Sequence, residues 1–116
     1  MYQLTRISLI NWYLVSARDV EIRDATAFIG PTGAGKTSIL DAIQTVICGG
    51  SHRHVHPNAS ASGKSDRKII DYCLGYLVPK ADGGEPLRTD CESILALTFG
   101  EERFDGTRHD IAVGLA

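Results

Sequence analysis

Hydrophobic and polar residues alternate through much of the first 22 positions. Apolar side chains recur mostly at every second position within residues 1–12, and a second extended run covers residues 14–22 after only a residue or two. Such alternation is typical of a strand with one buried face, and two runs joined by a short turn indicate an antiparallel pair. The chain is therefore predicted to open with a β-hairpin.

The hydrophobic period changes after this hairpin. Residues 26–29, Thr-Ala-Phe-Ile, form a short apolar run suited to a buried strand. From Ser38 the apolar residues fall at helical spacing, at positions 39, 40, 43, 46 and 47, and the pair Gly49-Gly50 follows. Because paired glycines end helices, a helix is predicted over residues 38–47.

Residues 30–37, between the predicted strand and helix, read Gly-Pro-Thr-Gly-Ala-Gly-Lys-Thr and fit the P-loop pattern G-x-x-x-x-G-K-[ST] at every fixed position. Glycines let a loop close round an anion, so its amide groups can bind a phosphate at the helix start. Lys36 would contact the β- and γ-phosphates, and the Thr37 hydroxyl would ligate Mg²⁺. The predicted nucleotide-binding residues are Gly30, Pro31, Thr32, Gly33, Ala34, Gly35, Lys36, Thr37 and Ser38. The alternative, a glycine-rich turn without a ligand, gives no reason for lysine and then threonine at the first helical positions.

A long polar stretch follows the predicted helix and runs to about Ser65. Three histidines at positions 52, 54 and 56 could suggest metal ligands, but no fourth ligand stands at a suitable spacing, so solvated histidines are the favoured interpretation. Residues 58–65 are one residue short of a second P-loop, because Asn58 occupies the place of the first glycine. Loops of this length tend to be functional or mobile.

The remaining residues predict a short helix and a second hairpin. Ser65-Asp66 could cap a helix over residues 67–77, and residues 79–86 read as a turn-rich connection. Extended runs at 93–99 and 109–115, separated by a polar turn at 101–107, indicate an antiparallel pair. Trp12 is interpreted as a core residue, with contact to a nucleotide as the alternative. Arg6, Asn11 and Arg18 are candidates for nucleotide contact, with surface strand residues as the favoured interpretation.

Composition adds little beyond a single globular domain or part of one. The chain has 116 residues, is 43% hydrophobic and 22% charged, and carries a net charge of −2, which gives no global reason to expect nucleic-acid binding. Its three cysteines, at positions 48, 73 and 91, form no CxxC pair and are typical of a reducing compartment. Neither a signal-peptide pattern nor a membrane-length apolar run is present, so we expect a cytoplasmic protein without a membrane partner.

The stretch 28–43, Phe-Ile-Gly-Pro-Thr-Gly-Ala-Gly-Lys-Thr-Ser-Ile-Leu-Asp-Ala-Ile, resembles the head domains of SMC-like, ABC-type chromosome and DNA-repair ATPases. The opening residues 4–12 look like the first strand of those heads, where an Asn-aromatic pair closes the hairpin. Residues 58–67 and 70–75 are most similar to the MukB/MksB-like and Wadjet JetC-like branch.

This resemblance implies an α/β P-loop NTPase fold, in which antiparallel hairpins flank the P-loop strand and helix of an N-terminal head lobe. It carries Lys36 and Thr37 over as phosphate and Mg²⁺ residues, and Arg67 as a phosphate-sensing or DNA-facing arginine. The implied cofactors are ATP and Mg²⁺. The implied partners are a second head in a homodimer, DNA, and kleisin-like and accessory subunits at the nucleoid.

Two parts of the family pattern are missing. An acidic residue should end a second apolar strand, but a glycine and a predicted turn separate the strand from Glu101 and Glu102, so these are expected to face solvent. A signature motif of the Leu-Ser-Gly-Gly type and a heptad run are also absent from the sequence. We therefore expect residues 1–116 to be the N-terminal lobe of a longer ATPase, with no certain catalytic residue in this lobe.

Two other classes of function stay open at this point. A small P-loop kinase would use the same Lys36 and Thr37 and would need Glu101 or Asp110 to assist the metal. A non-catalytic P-loop module would serve only as a scaffold for partners. The leading hairpin and the lack of an arginine-rich lid disfavour the kinase.

Overall fold

A computed structural model describes residues 1–31, 35–51, 69–78, 80–90 and 92–116. Its strands are β1 (Gln3–Trp12), β2 (Val15–Glu21), β3 (Ile94–Glu102) and β4 (Arg108–Leu115). Its helices are α1 (Lys36–Ile47) and α2 (Ile69–Leu74), and a single 3-10 turn covers Lys80–Asp82.

The four strands form one antiparallel sheet in the order β2-β1-β3-β4. Both predicted hairpins are confirmed, because β1 pairs with β2 and β3 pairs with β4. The chain between them, which carries α1 and α2, brings β3 back beside β1. The P-loop helix thus lies between two hairpins along the chain and against one face of their sheet.

One face of the sheet is apolar and supports both helices. Ile7 and Leu9 of β1 lie opposite Leu97 and Leu95 of β3, and all four side chains are at most 4% exposed. Their cluster continues through residues at the end of β1 and on the two helices, namely Trp12, Ala42, Val46 and Tyr72. The alternation of apolar residues in the sequence therefore correctly indicates which face of β1 and β3 is buried.

The ends of α1 follow from glycine conformations. The helix begins at Lys36, two residues before the predicted start, because Gly35 precedes it with a left-handed φ of 95°. It ends as predicted at the paired glycines, where the amides of Gly49 and Gly50 donate to the carbonyls of Val46 and Thr45. Such bonds satisfy the last carbonyl groups of a helix.

Helix α2 is shorter than predicted at its C-terminal end. It stops at Leu74 instead of residue 77, because Gly75 has a φ of 75° and its amide bonds back to the carbonyl of Asp71. The chain then turns, and Arg88 returns to donate its amide to the carbonyl of Leu74.

The predicted buried strand at residues 26–29 is wrong. These residues lie outside every strand of the structure, and the Ile29 side chain is 93% exposed. The sheet of the described residues has the order β2-β1-β3-β4 and does not include this run as a neighbour of either edge strand. Phe28 alone in this run packs partly against the core cluster.

Several sequence predictions fall on residues outside the described ranges. They are the loop residues Thr32, Gly33 and Ala34, the histidines His52, His54 and His56, the second P-loop-like stretch 58–65, and the cap and start of the second helix at Ser65, Asp66, Arg67 and Lys68. Within the described ranges, no helix is both long and apolar enough to cross a membrane.

Candidate nucleotide-binding site

The start of α1 has the local geometry of a phosphate-binding loop. Gly35 is the N-cap with φ 95° and ψ 13°, and a Cβ built on it would have no atom of the described residues within 4 Å. A left-handed φ strongly favours glycine at this position. Glycine is therefore favoured here by the backbone conformation and not by crowding from the described residues. Within the described ranges, no side chain caps the start of α1, and the helix dipole favours an anion there.

Lys36 links the two ends of the P-loop pattern. Its side chain is half-buried, and its Nζ donates a hydrogen bond to the carbonyl oxygen of Gly30, six residues earlier. A neutral carbonyl is a weaker partner for an ammonium than a charged phosphate oxygen. The contact therefore keeps the cation at the loop, where an incoming phosphate can take it over.

Thr37 and Ser38 face different surroundings in the first turn of α1. Thr37 is exposed, whereas Ser38 is 8% exposed and lies on the buried side of the helix. The carbonyl oxygen of Ser38 accepts a hydrogen bond of 2.8 Å from the indole Nε1 of Trp12. The predicted metal ligand Thr37 is thus on the accessible side.

Trp12 is a core residue, which confirms the favoured interpretation. It is 1% exposed and stacks on Tyr72, with ring centroids 4.7 Å apart and planes 5° from parallel. The Tyr72 hydroxyl in turn donates to Oδ2 of Asp41, a carboxylate that is only 5% exposed on α1. The pairing of Tyr72 with Asp41 was not predicted from the sequence. Its one available signal was the helical spacing of three polar residues on the buried face, Ser38, Asp41 and Thr45.

The other basic and polar candidates belong to the sheet. Arg6 is exposed and forms an ion pair with Asp19 on the neighbouring strand at 2.7 Å, and Arg18 is exposed on β2. The Asn11 side chain donates to the carbonyl of Glu92 at 2.8 Å, which joins the end of β1 to the residues before β3. The ion pair with Asp19 supports the interpretation of Arg6 as a surface residue of its strand.

The predicted turn between β3 and its acidic residues is wrong. Glu101 and Glu102 are the last residues of β3 and pair with His109 and Arg108 of β4, because the hairpin turn comes later. Glu101 accepts a hydrogen bond of 2.8 Å from the N-terminal ammonium of Met1, and this bond lowers the pKa of the Glu101 carboxyl. The carboxylate therefore takes part in a surface ion pair.

A broad cleft of about 960 Å³ lies on the polar face of the sheet, away from the two helices. Arg6, Arg23 and Arg108 stand there among Glu21 and other acidic side chains. All three arginines pair with carboxylates, so the cleft offers no field of a single sign. Neither Lys36 nor Thr37 lines it.

A left-handed glycine, a lysine turned onto the loop and an exposed threonine at a helix start define a P-loop domain. A family model, the P-loop containing region of AAA domain, matches residues 4–65, more than half of the chain. The chain belongs to this family of P-loop proteins, and the family indicates nucleotide binding. A comparison with curated proteins gave no match.

Proposed function

We propose that this chain is the ATP-binding part of an SMC-like ATPase that acts on DNA through ATP-dependent engagement of two heads. The observation that carries this proposal is the topology, in which one antiparallel sheet is built from hairpins before and after the P-loop helix. A simple nucleotide kinase usually begins directly with its P-loop strand. The residue pattern at 28–43 supports the SMC-like superfamily, and the pattern at 58–75 supports its MukB/MksB-like and JetC-like branch.

The described residues fit a magnesium nucleotide. The Cβ position of Gly35 is open, the Lys36 ammonium is bound to a carbonyl that phosphate can replace, and the Thr37 side chain is exposed. Lys36 would bind the β- and γ-phosphates, and Thr37 would hold Mg²⁺. The metal, when bound, neutralises charge on the phosphate oxygens.

Exposed apolar residues support a larger head domain. Leu40 and Ile47 lie on the outer side of α1 and are 55% and 66% exposed, and Ile29 beside the P-loop is 93% exposed. A helix with apolar residues on both sides is normally covered on both sides. We therefore propose that this lobe packs against further parts of the same ATPase.

Hydrolysis needs an acidic group near the γ-phosphate, and Glu101, at the end of β3, forms a surface ion pair with the N-terminal ammonium instead. We therefore propose that the acid comes from another part of the full protein and the signature motif from the second head of a homodimer. DNA, kleisin-like subunits and accessory subunits complete the proposed assembly, which would act in the cytoplasm at the nucleoid. Arg67 is proposed as its phosphate-sensing or DNA-facing arginine.

Calorimetry of the full-length protein with MgATP tests the proposal. Lys36→Ala should weaken binding by about 100-fold, since charged hydrogen bonds to phosphate are lost. Lys80→Ala is the matched control, because Lys80 is an exposed lysine of the 3-10 turn. The Lys80→Ala protein should bind MgATP with the affinity of the wild type. Equal affinities for all three proteins would refute phosphate binding at this loop.

Two further measurements separate the classes of function. Light scattering should show dimers that require both MgATP and Lys36, and DNA should stimulate ATP hydrolysis. Nucleotide-independent assembly would instead support a scaffold. Transfer of phosphate to a small-molecule acceptor by the isolated protein would support a kinase.

A further inference from the structure

Three elements meet at one buried contact beside the P-loop. Trp12 comes from the end of β1, Asp41 from α1 and Tyr72 from α2, and each is at most 5% exposed. The ring of Tyr72 stacks on Trp12, and its hydroxyl donates to Asp41. Trp12, Asp41 and Tyr72 are called the anchor cluster below.

The anchor cluster holds α1 at two points one turn apart. Trp12 donates to the carbonyl of Ser38, and Tyr72 donates to the side chain of Asp41, three residues further along the helix. One contact on the backbone and one on a side chain together fix both the position of the helix along its axis and its rotation. Lys36 and Thr37 lie in the first turn of this helix.

The other end of the cluster is fixed independently of α1. The amide of Tyr13 donates to the carbonyl of Tyr72 at 2.6 Å, so α2 is bonded directly to the first hairpin. Arg88 adds bonds from Nη1 to the carbonyl of Tyr13 at 2.9 Å and from Nη2 to that of Val15 at 3.0 Å. Tyr72 is therefore a fixed support for α1 and does not simply follow its movements.

We propose that Tyr72 is a positioning residue of the phosphate site. Through its hydroxyl on Asp41 and its ring on Trp12, it orients the first turn of α1 and so sets where Lys36 and Thr37 meet a nucleotide. The inference rests on the proposed nucleotide binding at this loop and adds a residue that does not touch the nucleotide.

Loss of the Tyr72 hydroxyl should affect affinity because a buried carboxylate loses a donor. The bond that ties α1 to α2 is then lost, so the first turn of α1 can shift, and a shift displaces Lys36 from its productive place. Tyr72→Phe should weaken MgATP binding by about 5-fold, close to 1 kcal/mol. Tyr76→Phe is the matched control, because Tyr76 is 7% exposed just after α2 and no hydroxyl bond from it is found among the described residues.

Trp12 fluorescence provides a readout that a general loss of stability would not mimic. The indole bonds to Ser38, one residue beyond Thr37, so MgATP should change the emission of Trp12 in the wild type. The change should be at least halved in Tyr72→Phe and unchanged in Tyr76→Phe. Trp12→Phe in the full protein identifies the share of emission that belongs to this residue.

A double-mutant cycle completes the test. If both residues act through their shared hydrogen bond, their effects should not be independent. The affinity of the double variant Tyr72→Phe/Asp41→Asn should then fall, relative to the wild type, by less than the product of the two single-variant losses. A Tyr72→Phe protein with wild-type affinity and wild-type Trp12 response would overturn the inference, as would independent effects in the cycle. Failure of the wild type to bind MgATP would overturn the proposed function instead, which separates the two results.

Discussion

The indole Nε1 of Trp12 lies 2.8 Å from the carbonyl oxygen of Ser38, so the last residue of β1 is bonded to the first turn of the P-loop helix. Ser38 is buried, and Trp12 is among the largest fully buried side chains of the described residues. A sheet residue thus takes part directly in holding the helix that carries Lys36.

Trp12→Phe should lower the free energy of unfolding by about 1–3 kcal/mol, because a buried hydrogen bond and part of the ring packing are lost. Urea denaturation followed by circular dichroism measures this change. Tyr2→Phe is the control, since Tyr2 is 38% exposed and its hydroxyl bonds only at the surface, to Nδ1 of His109. Equal midpoints for the two variants would contradict the assigned role of Trp12.

Gly35→Ala should weaken nucleotide binding through backbone conformation. A Cβ at Gly35 would meet no described atom within 4 Å, but the φ of 95° disfavours an L-residue by about 1–2 kcal/mol, so the loop must change shape. Gly106→Ala is a close match, because Gly106 also has an open Cβ position and a φ of 80°, in the turn between β3 and β4.

Both variants should lose similar stability in urea denaturation, while only Gly35→Ala should lose affinity for MgATP in calorimetry. If Gly106→Ala lowered the affinity equally, the effect would come from general destabilisation and not from the phosphate site.

The hairpins could be predicted because their information is local. Alternation and turn residues set β1 with β2 and β3 with β4, and the pattern also selects the buried face. Residues 26–29 show the limit of this reasoning, because an apolar run becomes a strand only beside a partner strand, and its own composition does not reveal that partner.

The P-loop pattern could be recognised in the sequence, but the contacts that hold its helix could not. The pattern Gly-Lys-Thr carries its own chemistry, and the structure places Lys36 and Thr37 at the helix start as expected. Asp41 and Tyr72 are 31 residues apart in sequence, so their bond depends on how α2 docks against the hairpin. Three polar residues on the buried face of α1, Ser38, Asp41 and Thr45, were the local sign of it.

Gly75→Ala should be strongly destabilising. Its φ is 75°, and an added Cβ would lie 3.0 Å from Nη1 of Arg88 and 3.1 Å from the carbonyl oxygen of Tyr13. Strain and crowding together should cost about 2–4 kcal/mol, since the connection that fixes α2 must move.

Gly83→Ala is the control for Gly75→Ala, because Gly83 has a similar φ of 84° but an open Cβ position. Its cost should be about 1 kcal/mol from conformation alone. Chemical denaturation of both variants measures the difference. Equal losses would mean that the contacts with Arg88 and Tyr13 are unimportant at Gly75.

The ion pair of Glu101 predicts a dependence of stability on acid pH. The bond from the N-terminal ammonium lowers the pKa of Glu101 below its ordinary value of 4.5, so the folded state binds this proton less readily than the unfolded state. The stabilisation is therefore complete above pH 4.5 and is lost as the pH falls through the lower, folded-state pKa. Because the carboxylate is at the surface, the effect should be small and should weaken with salt.

Glu101→Gln should flatten the fall of the melting temperature below pH 4.5, and acetylation of the N-terminus should flatten it in the same way by removing the other partner. Asp105→Asn should remove a separate portion of the fall in melting temperature at acid pH, because the pKa of Asp105 is lowered by hydrogen bonds from Thr107 in the β3–β4 turn. Melting curves recorded between pH 2.5 and 6 at low salt test all three. A Glu101→Gln protein that keeps the full wild-type slope would show that the ion pair with the N-terminus does not persist in solution.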